Sequence, residues 1–269
     1  MIEEFLYSIF INQWAVLLIV SALLLLCAEG GFRLGRAASR RKPEAAEHHG
    51  GVIQGAVLGA VLGLLGLLLA FSFSMAVSRY EARRSLVIEE ANSIGTTWLR
   101  ADFLPAQQRQ EVKDLLQRYA RLRLDGFYAA SDPAALGPLL KQVAEIHTSL
   151  WSYAAAAAAE LPTPATVSFI TSLNETIDLH TKRMAEGSNH IPGAVWLMLL
   201  IVAGAGAWSS GLNSGSFEGR SPFSQIVFPV LIAIVITLNA DIDSPREGFI
   251  GLSQKPMEEL LESMQAPAP

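Results

Sequence analysis

The sequence predicts an all-α integral membrane protein with four transmembrane helices and a helical extramembrane domain between the second and the third. The first observation is a set of four apolar runs without a charged residue, each long enough or nearly long enough to cross a hydrocarbon core, which takes about 20 helical residues. The second observation is a polar region of ordinary domain size in which apolar residues recur at helical spacing. The four runs lie at about 14–28, 52–77, 191–208 and 223–240.

This pattern divides the chain into four parts. We expect a first transmembrane hairpin, a helical extramembrane domain, a second transmembrane hairpin and a C-terminal tail, which correspond to residues 1–78, 79–190, 191–240 and 241–269.

The composition supports a membrane protein. Only 17% of the 269 residues are charged and 51% are hydrophobic, whereas soluble domains average about 25% charged residues. The net charge of −5 gives no argument for a nucleic-acid partner. A single cysteine, Cys27, excludes an intrachain disulfide. The first run has no Lys or Arg before it, so it is predicted to be a retained helix rather than a signal peptide.

Small residues form a stripe along the second apolar run. Gly55, Gly59, Gly63 and Gly66 are separated by four, four and three residues, which places them on one face of a helix. In lipid, small residues let helices approach closely and gain dispersion contacts. We therefore predict that this stripe packs against a neighbouring helix.

The second apolar run continues into charged sequence. Arg79, Arg83 and Arg84 follow it directly, and neither proline nor glycine occurs within 71–94. The run therefore predicts one long helix that leaves the membrane and continues into water.

The extramembrane region is predicted to be helical throughout. Apolar faces recur within 106–124, 134–160 and 164–186, with Val167 assigned to the face of the third segment. Asp125-Gly126 is expected to interrupt the chain, and Thr163 followed by proline is a typical helix start. The connector at 29–51 and the Gly/Ser-rich stretch at 209–222 are interpreted as loops, and a short amphipathic helix is expected at 258–264.

Catalytic, cofactor and metal motifs are missing from the sequence. It contains no phosphate-binding loop, nucleophile elbow or zinc spacing. Glu89 and Glu90 are adjacent, so on a helix they point about 100° apart and do not form an acid–base pair. His147 and His180 lie near apolar faces and are expected to be core or boundary residues rather than ligands. We do not expect an enzyme or a cofactor.

Two motifs resemble those of the bacterial bestrophin-like membrane family. They are EANSIGTTWLRAD at 90–102 and DIDSPREG at 241–248. Together with the apolar runs, the resemblance covers nearly the whole chain. It implies a multi-pass protein of the bacterial inner membrane.

A second similarity, to the bestrophins themselves, concerns the second span. Ala70-Phe71 followed by Ser78-Arg79-Tyr80 is similar in order and spacing to their second helix, although Glu81 stands where they have a second aromatic residue. Bestrophins are pentameric anion channels with a hydrophobic neck on that helix. The similarity implies a neck at Leu64, Leu67 and Phe71. The alternative is that these residues simply face lipid or another helix.

A charged cluster is predicted at the membrane boundary. Arginines follow the second span and carboxylates follow the fourth, and with four spans both lie on one side of the membrane, so we expect them to pair. Two carboxylates fall short of the six to eight oxygen ligands of calcium, so a cap or ion-pair role is favoured over a calcium clasp. The cluster comprises Arg79, Arg83, Arg84, Asp241, Asp243 and Arg246.

The leading functional hypothesis is an oligomeric ion channel for anions. Its partners would be the lipid bilayer, further copies of the same chain, in a pentamer if it follows the bestrophins, and an inorganic anion. One alternative is a membrane-anchored helical sensor or interaction scaffold without transport. Another is a purely structural membrane protein. Positive charges are nearly balanced between the two sides, so the sequence leaves the orientation of the 79–190 domain open.

Overall fold

The described parts of the chain consist of helices joined by short connections. The computed structural model describes residues 13–40, 47–129, 132–218, 222–244 and 249–265, and no strand occurs within them. The predicted all-α class is therefore confirmed. The helices are α1 (Gln13–Ser39), α2 (Glu47–Arg100), α3 (Ala106–Tyr128), α4 (Pro133–Glu160), α5 (Pro164–Gly187), α6 (Gly193–Asn213), α7 (Phe228–Asp243) and α8 (Lys255–Gln265).

The chain divides into two compact units. One comprises residues 1–79 and 190–250, and the other comprises 80–189 and 251–269. We call them the membrane unit and the helical unit. Among the described residues, four helices are long and apolar enough to cross a membrane, and they carry the predicted spans. The protein is therefore a multi-pass membrane protein. The four candidate spans are Gln13–Ser39, Ile53–Phe103, Gly193–Ser216 and Gln225–Asp243.

The second span and the charged sequence after it form one continuous helix, as predicted. Helix α2 runs without a break over 54 residues, because the polar half after Arg79 contains no proline. It ends in a short 3₁₀ turn, Ala101–Phe103, followed by extended backbone at Leu104 (φ −81°, ψ 158°). Pro105 explains this end, since a proline disfavours helical backbone in the residue before it.

Helices α1 and α6 cross at a site that only glycine fits. A Cβ added at Gly31 would lie 2.1 Å from the carbonyl oxygen of Trp208. In return, a Cβ added at Gly211 would lie 2.0 Å from the carbonyl oxygen of Ala28. The two backbones therefore touch directly, as in small-residue crossings of membrane helices.

This crossing corrects two interpretations made from the sequence. The segment after residue 28 is helical as far as Ser39, and the Gly/Ser-rich stretch after residue 208 is helical as far as Asn213. Gly35 and Gly215 repeat the close approach one turn further along. The spacing Gly-x-x-x-Gly in both segments was the signal, because polar neighbours do not prevent a helix whose small residues are packed.

The helical unit has a core of its own. Asp132 caps α4 by accepting a hydrogen bond from the Ala134 amide at 2.9 Å, and Thr163 caps α5 by accepting from the Thr166 amide at 3.2 Å. The Thr163 cap was predicted and is confirmed. The largest fully buried apolar side chains of this core are Ile94, Val112, Leu116, Tyr119, Leu150, Phe169, Leu173 and Met257.

Two local predictions about this unit are wrong. Asp125-Gly126 does not interrupt α3, which continues to Tyr128 because glycine costs a helix only about 1 kcal/mol relative to alanine. Val167 is 59% exposed, and Phe169 occupies the core of α5. The predicted C-terminal amphipathic helix is present as α8, with Met257, Leu261 and Met264 buried.

Candidate functional site

The three predicted neck residues lie on one outward-facing side of α2. Leu64, Leu67 and Phe71 are 45%, 53% and 64% exposed in the single chain. The face that packs inside the membrane unit includes Leu65 and Ala76, which are 3% and 0% exposed. At about 100° per residue, the buried face is turned about a quarter to a third of the way around the helix from the neck face. The neck residues thus lie on a helix that is packed on another side, and their own side chains are largely exposed in the single chain.

The glycine stripe lies on the remaining side of α2. A Cβ added at Gly55, Gly59, Gly63 or Gly66 would meet no atom within 4 Å. The stripe is therefore not in close contact with the described part of its own chain. Contact between copies of the chain remains a prediction.

The arginines after the second span have different environments. Arg83 is 5% exposed, and it donates from Nε to the carbonyl oxygen of Glu186 at 3.2 Å and from Nη2 to that of Asn189 at 2.7 Å. These carbonyls lie at the C-terminal end of α5, where a positive charge is favoured by the helix dipole. Arg84 is exposed to solvent. Arg83 therefore stabilises a helix end, whereas Arg84 presents its charge outward.

The carboxylates after the fourth span bind backbone amides. Asp241 is fully buried and accepts from the amides of Phe249 and Ile250, both at 2.9 Å. Asp243 accepts from the Ile191 amide at 3.0 and 3.2 Å. Both carboxylates therefore bind backbone amides, and the choice between the cap role and the ion-pair role that the sequence left open stays a prediction.

Arg246 of this cluster lies outside the described residues, and the predicted pairing of Asp241 and Asp243 with the arginines after the second span stays a prediction. No cluster of three or more potential metal ligands occurs in the part of the chain that the structure describes.

The helical unit contains a buried ionic cluster centred on Glu90. Its carboxylate is 0% exposed and binds two guanidinium groups. Arg123 donates from Nε at 2.7 Å and from Nη2 at 3.2 Å, and Arg183 donates from Nη1 at 2.6 Å. The Tyr119 hydroxyl donates at 2.7 Å. These four donors match the roughly four lone-pair positions of a carboxylate, so Glu90 joins α2 to α3 and α5.

Two histidines line the same cluster. The His147 ring centroid is 4.9 Å from that of Tyr119 and 5.1 Å from that of His180. Burial and the nearby Arg123 charge lower the pKa of His180 from 6.5 to about 4. Burial also lowers the pKa of His147. Both rings are therefore neutral at neutral pH, and their partial burial agrees with the expected core or boundary position.

The Tyr119 hydroxyl remains a donor over the physiological pH range. Burial and the Glu90 carboxylate raise the pKa of Tyr119 well above its usual value. Arg183 uses its remaining Nη2 group to donate to Oε1 of Gln254 at 2.6 Å, which ties the segment before α8 to the cluster.

Sequence reasoning did not find this cluster. The partners of Glu90 are 29 residues away at Tyr119, 33 at Arg123 and 93 at Arg183. Helical spacing reveals which face of a helix is apolar, but it does not reveal which charged residues of different helices meet. The only sequence signal was the position of Glu90 at the start of the 90–102 motif.

The fold and these sites define a multi-pass, all-α membrane protein with a separate helical unit. The Bestrophin-like domain model matches residues 22–257. The chain belongs to the Bestrophin-like family, as its two motifs indicated.

Two solved structures share the fold. One is a crystal structure of a membrane protein, which superposes with a TM-score of 0.68 at 14% identity, covering 93% of this chain and 99% of the other. The second is a bacterial bestrophin homolog from Klebsiella pneumoniae, which superposes with a TM-score of 0.66 at 14% identity, covering 94% of this chain and 99% of the other. A search of curated proteins finds no significant match.

Proposed function

We propose that the protein is an oligomeric ion channel of the bacterial inner membrane, lined by α2, with inorganic anions as the ions that pass. The observation that carries this proposal is the division of α2 into three faces. Leu65 and Ala76 face the chain's own bundle, whereas Leu64, Leu67 and Phe71 are exposed, and the glycine stripe is open on a third side.

A ring of identical subunits would use all three faces of α2. In each copy, the chain's own bundle would pack on the Leu65 side of α2, and the neighbouring copy would pack on the glycine stripe. The third side of α2, which carries the neck residues, would line the axis of the ring. Membrane oligomers close in such rings when one surface packs against a different surface of the next copy. Leu64, Leu67 and Phe71 would then narrow the path as a hydrophobic constriction, which gates by excluding water.

The charge at the end of the second span favours anions. The exposed Arg84 follows the apolar part of α2, and focused positive potential raises the local anion concentration. The neck face itself carries no charge that would trap an ion. A fivefold ring would agree with the similarity to bestrophins.

Reconstituted chloride flux tests this proposal. The triple substitution Leu64→Ala, Leu67→Ala, Phe71→Ala should increase chloride flux through intact oligomers, because smaller side chains ease wetting of the neck. A matched control is Leu18→Ala, Ile19→Ala, Leu26→Ala, which removes exposed apolar side chains from α1 and should leave the flux unchanged.

The outcomes separate the hypotheses. Zero flux in both wild type and neck variant, from protein shown to be folded and oligomeric, would overturn the channel and leave a membrane-anchored scaffold or sensor. Sodium flux without chloride flux would retain the channel and overturn the anion assignment. Equal increases in chloride flux in the neck variant and the α1 variant would show that the neck residues of α2 do not line the pore.

A further inference from the structure

A polar pair connects α2 and α7 inside the membrane unit. The Asn239 side chain donates from Nδ2 to the Ser72 hydroxyl oxygen at 3.1 Å. The Ser72 hydroxyl donates in turn to the carbonyl oxygen of Leu69 at 3.0 Å, within its own helix. Ser72 is 1% exposed and Asn239 is 0% exposed, so both groups are removed from lipid and water.

The Asn239 side chain uses only part of its hydrogen-bonding capacity. Its Oδ1 is buried and has no hydrogen-bond partner among the described residues. A buried polar atom without a partner loses its hydration without compensation. Among the neighbouring buried positions of α7, Ile236 and Ala240 are apolar, whereas Thr237 and Asp241 are polar. Packing alone would favour a leucine here, so the amide provides something that an apolar side chain does not.

A directional bond fixes the rotation of α2. Leu65 and Ala76, on the same buried side, make apolar contacts that tolerate a small turn of the helix about its axis. A hydrogen bond weakens steeply when its geometry changes, so it selects one rotation. Ser72 follows Phe71 directly, and neighbouring helical residues point about 100° apart. Holding Ser72 toward α7 therefore holds Phe71 outward, where it is 64% exposed.

We propose that Asn239 is a positioning residue for the neck: through Ser72 it sets the direction in which Phe71 points and hence the width of the constriction. This inference rests on the proposed function, because the neck exists only if α2 lines a pore. The direction in which residue 71 points can be measured without any ion flow.

Thiol accessibility in proteoliposomes tests the proposal. The only native cysteine is first removed with Cys27→Ala, and Phe71→Cys then provides a reporter for a charged, water-soluble methanethiosulfonate reagent. Ser72→Ala and Asn239→Leu each remove the hydrogen bond. Each should change the modification rate at the reporter by about three- to tenfold, which is the range that one hydrogen bond supports. Ser72→Thr keeps a hydroxyl and should restore the original rate.

A second reporter distinguishes positioning from general damage. Leu26→Cys lies on an exposed side of α1. Its rate should be the same with and without the Asn239–Ser72 bond, because a small turn of α2 about its own axis moves only α2. Equal changes at both reporters would overturn the proposal, because loss of the bond would then disturb α1 of the membrane unit as well.

Chloride flux is measured on the same preparations. An unchanged reporter rate in Ser72→Ala, together with chloride flux in wild type, would overturn the positioning role and leave the channel intact. A changed rate without flux in any variant would overturn the channel and support the orientation role of Asn239. Ser72→Ala removes a single oxygen, so the test does not depend on the folding of Asn239→Leu.

Discussion

Arg123 binds both carboxylate oxygens of Glu90, from Nε at 2.7 Å and from Nη2 at 3.2 Å. Arg183 donates to the same carboxylate at 2.6 Å. One buried negative charge thus stands between a buried and a largely buried positive charge. The cluster joins α2, α3 and α5, and it makes the helical unit sensitive to the loss of that one carboxylate.

Glu90→Gln should severely destabilise the helical unit. The substitution keeps the shape but leaves Arg123 and Arg183 buried without a counter-charge, which costs about 3–5 kcal/mol. The measurement is thermal or urea unfolding of the full-length protein in detergent. A matched control is Asp102→Asn, which removes the exposed partner of Lys113 at 2.7 Å and should cost about 1 kcal/mol or less. Equal losses in the two variants would contradict a structural role for the cluster.

Stability should fall as the pH decreases from about 6.5 to about 4 because of His180. Its folded-state pKa of about 4 lies below the ordinary histidine value of 6.5, so the folded state resists a proton that the unfolded chain accepts. The contribution is fully present above pH 6.5 and is lost through this interval. It amounts to about 1–2 kcal/mol, below the full shift because the ring is partly solvent-screened. The charged and titratable groups around it are Glu90, Tyr119, Arg123, His147 and Arg183.

His180→Asn checks this assignment. Unfolding free energies of wild type and variant should be measured from pH 8 to pH 4. In the lower half of this pH range, the unfolding free energy of the variant should depend less on pH than that of wild type. The difference in slope should correspond to about one bound proton. Parallel curves would show that other groups cause the acid sensitivity.

Gly211→Ala should disrupt the crossing of α1 and α6. Its Cβ would lie 2.0 Å from the backbone carbonyl oxygen of Ala28, so the helices must separate. Overpacking of this kind costs about 1–3 kcal/mol. The control is Gly137→Ala, whose Cβ would meet nothing within 4 Å and which should be neutral or stabilising by up to about 1 kcal/mol. A thermal unfolding midpoint for Gly211→Ala equal to that of wild type would rule out the close crossing.

Gly59→Leu and Gly63→Leu should weaken assembly without unfolding the chain. A Cβ added at either position meets no atom of the described chain within 4 Å, so a larger side chain would weaken assembly only if a second copy packs on the stripe. Light scattering after size-exclusion chromatography gives the oligomer mass, and Gly137→Leu in the helical unit is the control. An unchanged oligomer mass and thermal stability in both variants would place the stripe against lipid.

Local sequence determined which segments are helices. Uncharged runs predicted the four spans, the absence of proline predicted the continuity of α2, and Thr163 predicted the start of α5. These features depend on residues close together in the chain, because helix hydrogen bonds, helix caps and the apolar length needed for insertion all lie within one segment. The motifs at 90–102 and 241–248 resembled those of the bestrophin-like family, and that resemblance implied the fold.

Only the tertiary structure decided which residues meet. The three partners of Glu90 come from two other helices, and the Asn239–Ser72 bond joins residues 167 positions apart. The crossing at Gly31 and Gly211 extended two helices into segments whose polar composition suggested loops. Periodicity orients a side chain relative to its own helix, whereas partner choice depends on how whole helices pack, and that packing is set by many weak contacts between residues far apart in the chain.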